Sequence, residues 1–404
     1  MSILSKERNA EVWVFRDSHI SMKYNFDEIV PRRNSNSYKW DLAPNDDVLP
    51  FWVADMDFRT APPVIEALEK RVRHGIFGYT KVPQAYYDAI TSWFERRHDF
   101  AFQQEWTLYT TGVVPALSAI IKALTVPGDK VILQTPVYNC FFSSIRNNDC
   151  EVACNQLIYK DNTYFIDFED LEKKASDPKA KLLLLCSPHN PAGRVWRREE
   201  LTRIGEICMK NDVIVVSDEI HCDLVFQGYK HISYASLCND FLQQSVTCTA
   251  PSKTFNIAGL HTANIHAADK SIRSKIDKAL NINEVCEINP FGVDALIAAY
   301  NEGEEWMEAL KVYLYDNYLF LKDYFAQHFS QFPVIQLEAT YLVWVDCAAL
   351  QQPSTVIAEK LLAKANVQVN PGAMYGVGGD HFIRINIACP REILAKGLNK
   401  VVSG

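Results

Sequence analysis

An α/β fold, with a mostly parallel sheet between two layers of helices and a smaller α+β unit after it, is what this sequence predicts. Three observations point there. From about residue 107 to 267, short apolar runs of strand length alternate with helix-like patterns. Strands buried on both faces read as unbroken apolar runs, and strand–helix alternation marks parallel pairing. After about residue 300 the alternation stops, and a long helical stretch leads into mixed strands and helices. The chain has 404 residues, 48% of them hydrophobic, enough for two or three domain-sized units around a large core.

The elements follow in order. MSILSKERNAEVWVFRDSHI, at the start, is too charged for a secretory signal. Met22 is a candidate start, which makes 1–21 an extension and 22–60 a segment joining the smaller unit. In YTTGVVPALSAIIKAL (109–124), Gly112 permits a tight turn and Pro115 suits a first helical turn. Leu117, Ile120, Ile121 and Leu124 then supply a buried helix face. KVILQT (130–135), KLLLLC (181–186), DVIVVSDE (212–219) and SVTCTA (245–250) read as buried strands, being brief, apolar and partly β-branched. RREELTRIGEICMK (197–210) sets Leu201, Ile204, Ile207 and Cys208 on one helical face. Past residue 300, 304–330 reads as a long helix and TYLVWVD (340–346) and HFIRINIA (381–388) as strands. PSTVIAEKLLAKA (353–365) and 391–402 read as helices, so the expected units are 61–300 and 301–404.

In an open parallel sheet, ligands gather beyond the carboxyl ends of the strands. Free N–H groups of Gly112, Val113 and Val114 at a helix start make a seat for phosphate there. In SPHNPAGRVW (187–196), two prolines and a glycine hold Asn190 in place, either as an ordinary turn or as a presented ligand group. Asp218 ends an apolar run, where a carboxylate either caps a helix or meets a cation. His221 shares that site or is a core histidine. Lys253, in TAPSKTFNIAGL (249–260), taken alone is a surface lysine. Yet Asn190, Asp218 and Lys253 lie 28 and 35 residues apart. Each gap is near the ~30 residues of one strand–helix unit, so a single rim can carry all three.

A phosphate seat, a buried carboxylate, an asparagine and a lysine on one rim suit pyridoxal phosphate. Its aldehyde forms a Schiff base with a lysine, and its protonated ring is an electron sink. Asp218 fits the pyridine nitrogen, whose charge offsets the cost of burying the carboxylate. Asn190 can hydrogen-bond the ring hydroxyl, and Tyr138, in TPVYN, can lie on the ring face.

NSYKWD (36–41), FWVADMDF (51–58), GIFGYT (75–80), SPHNPAGRVW, SDEIHCDL (217–224), SKTFNIAGL (252–260) and IRINIACPR (383–391) run in order from Tyr24 onward. Together they resemble the motifs of the fold-type I aminotransferase superfamily, and within it the C–S β-lyase branch of cystathionine β-lyase and cystalysin. The resemblance implies a large domain with a mostly parallel seven-stranded sheet, a smaller α+β domain, and pyridoxal 5′-phosphate as cofactor. It implies Lys253, Asp218 and Tyr138 as the catalytic set. Gly112, Val113, Val114, Asn190, His221, Ser252 and, from a second subunit, Tyr79 would complete the cofactor site. Arg384, Ala54 and Asn190 would meet the substrate, Arg384 by a bidentate fork on the α-carboxylate. Read from the sequence alone, Arg384 is a surface arginine in a strand. The implied activity is α,β-elimination from cystathionine- or cysteine-type amino acids to a thiol, pyruvate and ammonia, by a cytoplasmic homodimer. An aminotransferase, or a regulatory binding protein that keeps the fold, are the rival readings. Two departures stand out: His261 replaces an arginine common eight residues past the lysine, and Asn139 follows Tyr138 where some relatives have a second tyrosine.

Other classes find little support. A net charge of −8 and the lack of a basic run argue against nucleic-acid and anionic-membrane partners. No apolar stretch approaches the ~18 residues of a membrane span. Eleven cysteines at irregular spacings give no zinc pattern and fit free thiols in a reducing compartment, with Cys150 and Cys154 expected buried and inert. GVGGDH (376–381) lacks the spacing and the strand–helix setting of a dinucleotide loop.

Overall fold

A computed structural model of the chain describes residues 23–282 and 288–403; the expected extension 1–21 lies outside them. The strands are β1 (Leu49–Pro50), β2 (Thr107–Thr110), β3 (Lys130–Thr135), β4 (Glu151–Gln156), β5 (Ala180–Cys186), β6 (Ile214–Asp218), β7 (Ser245–Thr249) and β8 (Ala263–His266). Strands β2 to β8 form one seven-stranded sheet in the order β2-β8-β7-β6-β5-β3-β4. All pairs are parallel except those of β8, which runs antiparallel to both neighbours.

Alternation along these strands explains why both faces are covered. Leu182, Leu184, Val216 and Val246 pack on one side with Val113, Leu117, Ile120 and Ile121 of the helix Val113–Leu124. Leu183, Leu185 and Val215 pack on the other with Leu201, Ile204 and Ile207 of the helix Arg198–Lys210. That second helix begins where Glu200 accepts the Arg197 N–H at 2.8 Å. It closes on the sheet through Gly205, where a Cβ would stand 2.4 Å from the Phe241 ring. Leu182 to Leu185 have no exposed surface, and truncating any one of them to alanine costs about 2–5 kcal/mol.

Ile158–Lys160 and Thr163–Phe165 form a separate two-stranded hairpin, and four strands follow β8: β9 (Leu342–Asp346), β10 (Val367–Gln368), β11 (Asn370–Pro371) and β12 (Phe382–Asn386). β12 sits between β9 and β11, antiparallel to both, with Arg384 opposite Trp344 and Asn370. β1 pairs in parallel with β10, Leu49 against Val367, which ties the early chain to the late one. The long helix expected at 304–330 spans Glu304–His328. Among the described residues no helix is long and apolar enough to cross a membrane. Cys150 is buried as expected, but Cys154 is only half-buried: it lies on β4, an edge strand with one neighbour, β3.

Candidate active site

The carboxyl ends of β3, β5, β6 and β7 open into one cleft. It is lined by Ala54, Gly112, Val113, Val114, Tyr138, Asn190, Asp218, His221, Ser252 and Lys253, among others. Ten of the residues singled out from sequence therefore meet in one place. A separate cavity between the three-stranded sheet and the last helix is lined by apolar side chains, glycine and the Cys347 thiol, with no charged group.

Each side chain is placed by its strand end. Val113 opens the helix after β2, leaving the first-turn N–H groups without intrahelical partners. Gly112 does not make the tight turn expected of it: its φ of 162° is extended. A Cβ there would approach Pro115 Cδ at 3.3 Å, so glycine keeps the helix start uncovered. Asp218 is the last residue of β6 and is followed by turns, so the helix-cap alternative does not hold. Its Oδ1 accepts the Ile220 N–H at 3.1 Å. Burial, assisted by the neighbouring Glu219 charge, pushes its carboxyl up to about 7 against the pull of that hydrogen bond and of Lys253. His221 is buried with Nδ1 lacking any partner. Burial, then the Lys253 and Arg384 charges, lower it to about 3, so the ring is neutral.

Lys253 follows β7 in a run of turns and keeps one face open to the cleft. Its Nζ donates to the Ala54 carbonyl at 2.7 Å. Burial and then the Arg384 charge lower its amine to about 8, while Asp55 and Asp218 hold it up. The bare amine is thus accessible near neutral pH.

Arg384 corrects the surface expectation. It is 3% exposed, because its strand β12 is the central one of three. One terminal nitrogen donates to Asn190 Oδ1 at 3.1 Å and the other to the Trp52 carbonyl at 2.7 Å, while Nε has no partner. Its guanidinium lies over the Tyr375 ring, 5.1 Å from the centroid. Tyr79 stands apart: it is 93% exposed, on the loop after the helix Pro62–His74, and does not line the cleft.

Residues 52–58 form a strap beside this cleft, which Ala54, the residue of this segment singled out from sequence, lines. Ala54 O accepts from Tyr341 Oη at 2.9 Å as well as from Lys253. Asn386 donates to the Val53 and Asp55 carbonyls, and Asn256 holds Met56 and Phe58. Tyr341 and Tyr375 were missed, since a buried tyrosine beside a strand carries no spacing signal. His261 sits at the cleft rim, exposed.

This geometry has close parallels. The chain matches the model of the family described as aminotransferase class I and II over residues 46–401. It is 42% identical to cystathionine beta-lyase PatB of Bacillus subtilis, covering 93% of this chain and 98% of that protein. It is 32% identical to protein MalY of Escherichia coli, covering 94% and 98%. The crystal structure of cystalysin from Treponema denticola, which contains a pyridoxal 5′-phosphate cofactor, superposes with a TM-score of 0.92 at 36% identity, covering 94% and 98%. The chain belongs to the aminotransferase class I and II family.

Proposed function

We propose that this protein is a pyridoxal-phosphate-dependent carbon–sulfur β-lyase acting on cysteine-type amino acids, cystathionine among them. The observation that carries the reading is one cleft holding an accessible lysine amine and a buried carboxylate, with Arg384 behind its lining, hydrogen-bonded to Asn190. The cleft fits the cofactor on its own evidence. Asp218 is costly to bury until a pyridinium meets it, the His221 Nδ1 beside the cleft has no hydrogen-bond partner, and the helix start at Val113 has no side-chain cap. Pyridoxal phosphate, when bound, supplies an aldehyde for the lysine amine and a sink for electrons leaving Cα.

The protein's own groups do the rest. The N–H groups of Gly112, Val113 and Val114, with Ser252, would hold the phosphate. Asp218 would keep a proton on the pyridine nitrogen, Asn190 and His221 would meet the ring oxygen, and Tyr138 would cover a ring face. Arg384 exchanges the Trp52 carbonyl for the substrate's α-carboxylate, and this fixes which Cα bond faces Lys253. Lys253, with its lowered pKa, then takes the Cα proton. The Cβ–S bond breaks as the Cα–Cβ double bond forms, the sulfur leaves as a thiolate that takes a proton from solvent, and the aminoacrylate released takes up water to give pyruvate and ammonia.

The active unit in this reading is a homodimer, in which Tyr79 of one subunit reaches the phosphate of the other. The loop carrying it is exposed and apolar, with Ile76 and Phe77 beside it, which supports burial against a second copy. The division near residue 300 belongs to the same reading: the large sheet supplies the cofactor side and β12 supplies Arg384. Ten free cysteines among the described residues support a cytoplasmic setting.

A panel of cystathionine, cysteine and S-alkylcysteines tests the reading. Pyruvate and free thiol in equal amounts are the expected products. Formation of the substrate's own oxo acid without thiol marks an aminotransferase instead, and no turnover of any of them refutes the lyase reading.

A further inference from the structure

Two buried carboxylates lie one step behind the cleft without facing it. Glu219 follows Asp218, and its Oε1 accepts hydrogen bonds from Ser217 Oγ at 2.9 Å and the Tyr234 N–H at 3.0 Å. Its Oε2 meets His231 Nε2 at 3.0 Å. Asp223 accepts the Thr254 hydroxyl on Oδ2 at 2.9 Å, and on Oδ1 meets Trp93 Nε1 at 3.0 Å and His98 Nε2 at 2.8 Å. The rings of His98 and His231 meet edge to face, 5.4 Å between centroids. All of these side chains are buried. A continuous run of contacts therefore links Glu219, next to Asp218, to Thr254, next to Lys253.

Cys222 completes a His–Cys–Asp triple whose ligand atoms lie within 4.8 Å of one another. Both Asp223 oxygens already accept hydrogen bonds, so the group is a hydrogen-bond hub rather than a metal site. Burial alone raises the Asp223 carboxyl, but the bonds from His98, Thr254 and Trp93 overcome this and hold it below the ordinary carboxylate range. Asp223 is thus ionised, and its bond to Thr254 is of the stronger, charge-assisted kind. The turns that carry Lys253 belong to no sheet ladder, which leaves the Thr254 side chain as an internal anchor within one residue of the amine.

We propose that Asp223, acting through Thr254, is a positioning residue that sets Lys253 in the cleft, and that His98, His231 and Glu219 tie that setting to Asp218. This rests on the reading of Lys253 and Asp218 as the cofactor's two anchors. The comparison that tests it is Thr254→Val, which keeps the shape and deletes the hydroxyl, against Thr254→Ser, which keeps the hydroxyl. Three readouts apply: amide exchange over residues 250–257 in the cofactor-free chain, the Kd for pyridoxal phosphate, and the visible circular dichroism of the bound cofactor. A lost charge-assisted bond is worth on the order of tenfold in an equilibrium.

Thr254→Val is expected to speed exchange over 250–257 by about tenfold relative to the rest of the chain. It should weaken cofactor binding by a similar factor, alter the dichroism, and lower kcat more than it changes KM. Thr254→Ser should restore all of these. The proposal is overturned if Thr254→Val matches the parent, if Thr254→Ser is as defective as Thr254→Val, or if exchange accelerates evenly along the whole chain. A parent chain that takes up no pyridoxal phosphate refutes the function reading, and the exchange comparison in cofactor-free protein then decides the positioning by itself.

Discussion

Replacing Asp218 with asparagine should stabilise the cofactor-free protein and destabilise the loaded one. An unfolded Asp218 ionises near its ordinary value of 3.8, the folded one near 7. Between those values the folded state holds the extra proton, so stability falls as pH rises through the window, and the full cost is present above about pH 7. Three pKa units at about 1.4 kcal/mol each amount to about 4 kcal/mol, of which about 2–3 kcal/mol accrues between pH 5 and 8. Asparagine has no proton to lose and no such cost. Thermal melts of cofactor-free parent and Asp218→Asn across pH 5–8 should show the variant's Tm advantage growing by a few degrees toward pH 8. With saturating pyridoxal phosphate the order should reverse, because only the carboxylate balances a pyridinium. Melting curves that stay parallel across this pH range, or a variant that remains ahead with cofactor present, would refute the reasoning.

Three further outcomes are expected. Lys253→Ala should lower pyruvate release by at least ~10²-fold, the lower end for a general base, in a protein that melts normally. Arg384→Lys keeps the charge but loses the two-pronged fork, so KM for the amino acid should rise about tenfold or more, with a smaller change in kcat; an unchanged KM would remove Arg384 from the carboxylate. Gly205→Ala forces a Cβ to 2.4 Å from the Phe241 ring and should cost about 1–3 kcal/mol of stability by overpacking. It should leave cofactor affinity unaltered, since the clash is on the far side of the sheet from the helix Val113–Leu124.

The parts of this fold legible in the sequence were those governed by local chemistry. KVILQT became β3 residue for residue, and KLLLLC, DVIVVSDE and SVTCTA each gave a strand within two residues of the reading. Their burial on both faces leaves no alternation to misread. Asn190, Asp218 and Lys253 were found because each ends or follows a strand in a repeating unit whose length fixes the rim. What escaped depends on distant pairing. Arg384 looked like a surface arginine since nothing near it in sequence reveals that β12 is central in its sheet. Gly112 was expected in a turn because glycine often signals one, whereas here its missing side chain matters more than its backbone freedom. Tyr341 reaches the site through Ala54, 287 positions away, and Tyr375 through Arg384 on the neighbouring strand, and hydrophobic periodicity says nothing about either contact.

The strap has a bearing on biosynthesis. Its backbone is gripped by Asn386 and Arg384, over 330 residues downstream. While the ribosome is still adding residue 380, the large sheet has all its strands, and the early segment has Lys253, Asn256 and Tyr341 to hold it but not Asn386 or Arg384. The carboxylate pocket is therefore completed only once β12 has been made. A product cut short by some twenty-five residues would retain every lysine-side group and still have nothing to seize an amino acid with.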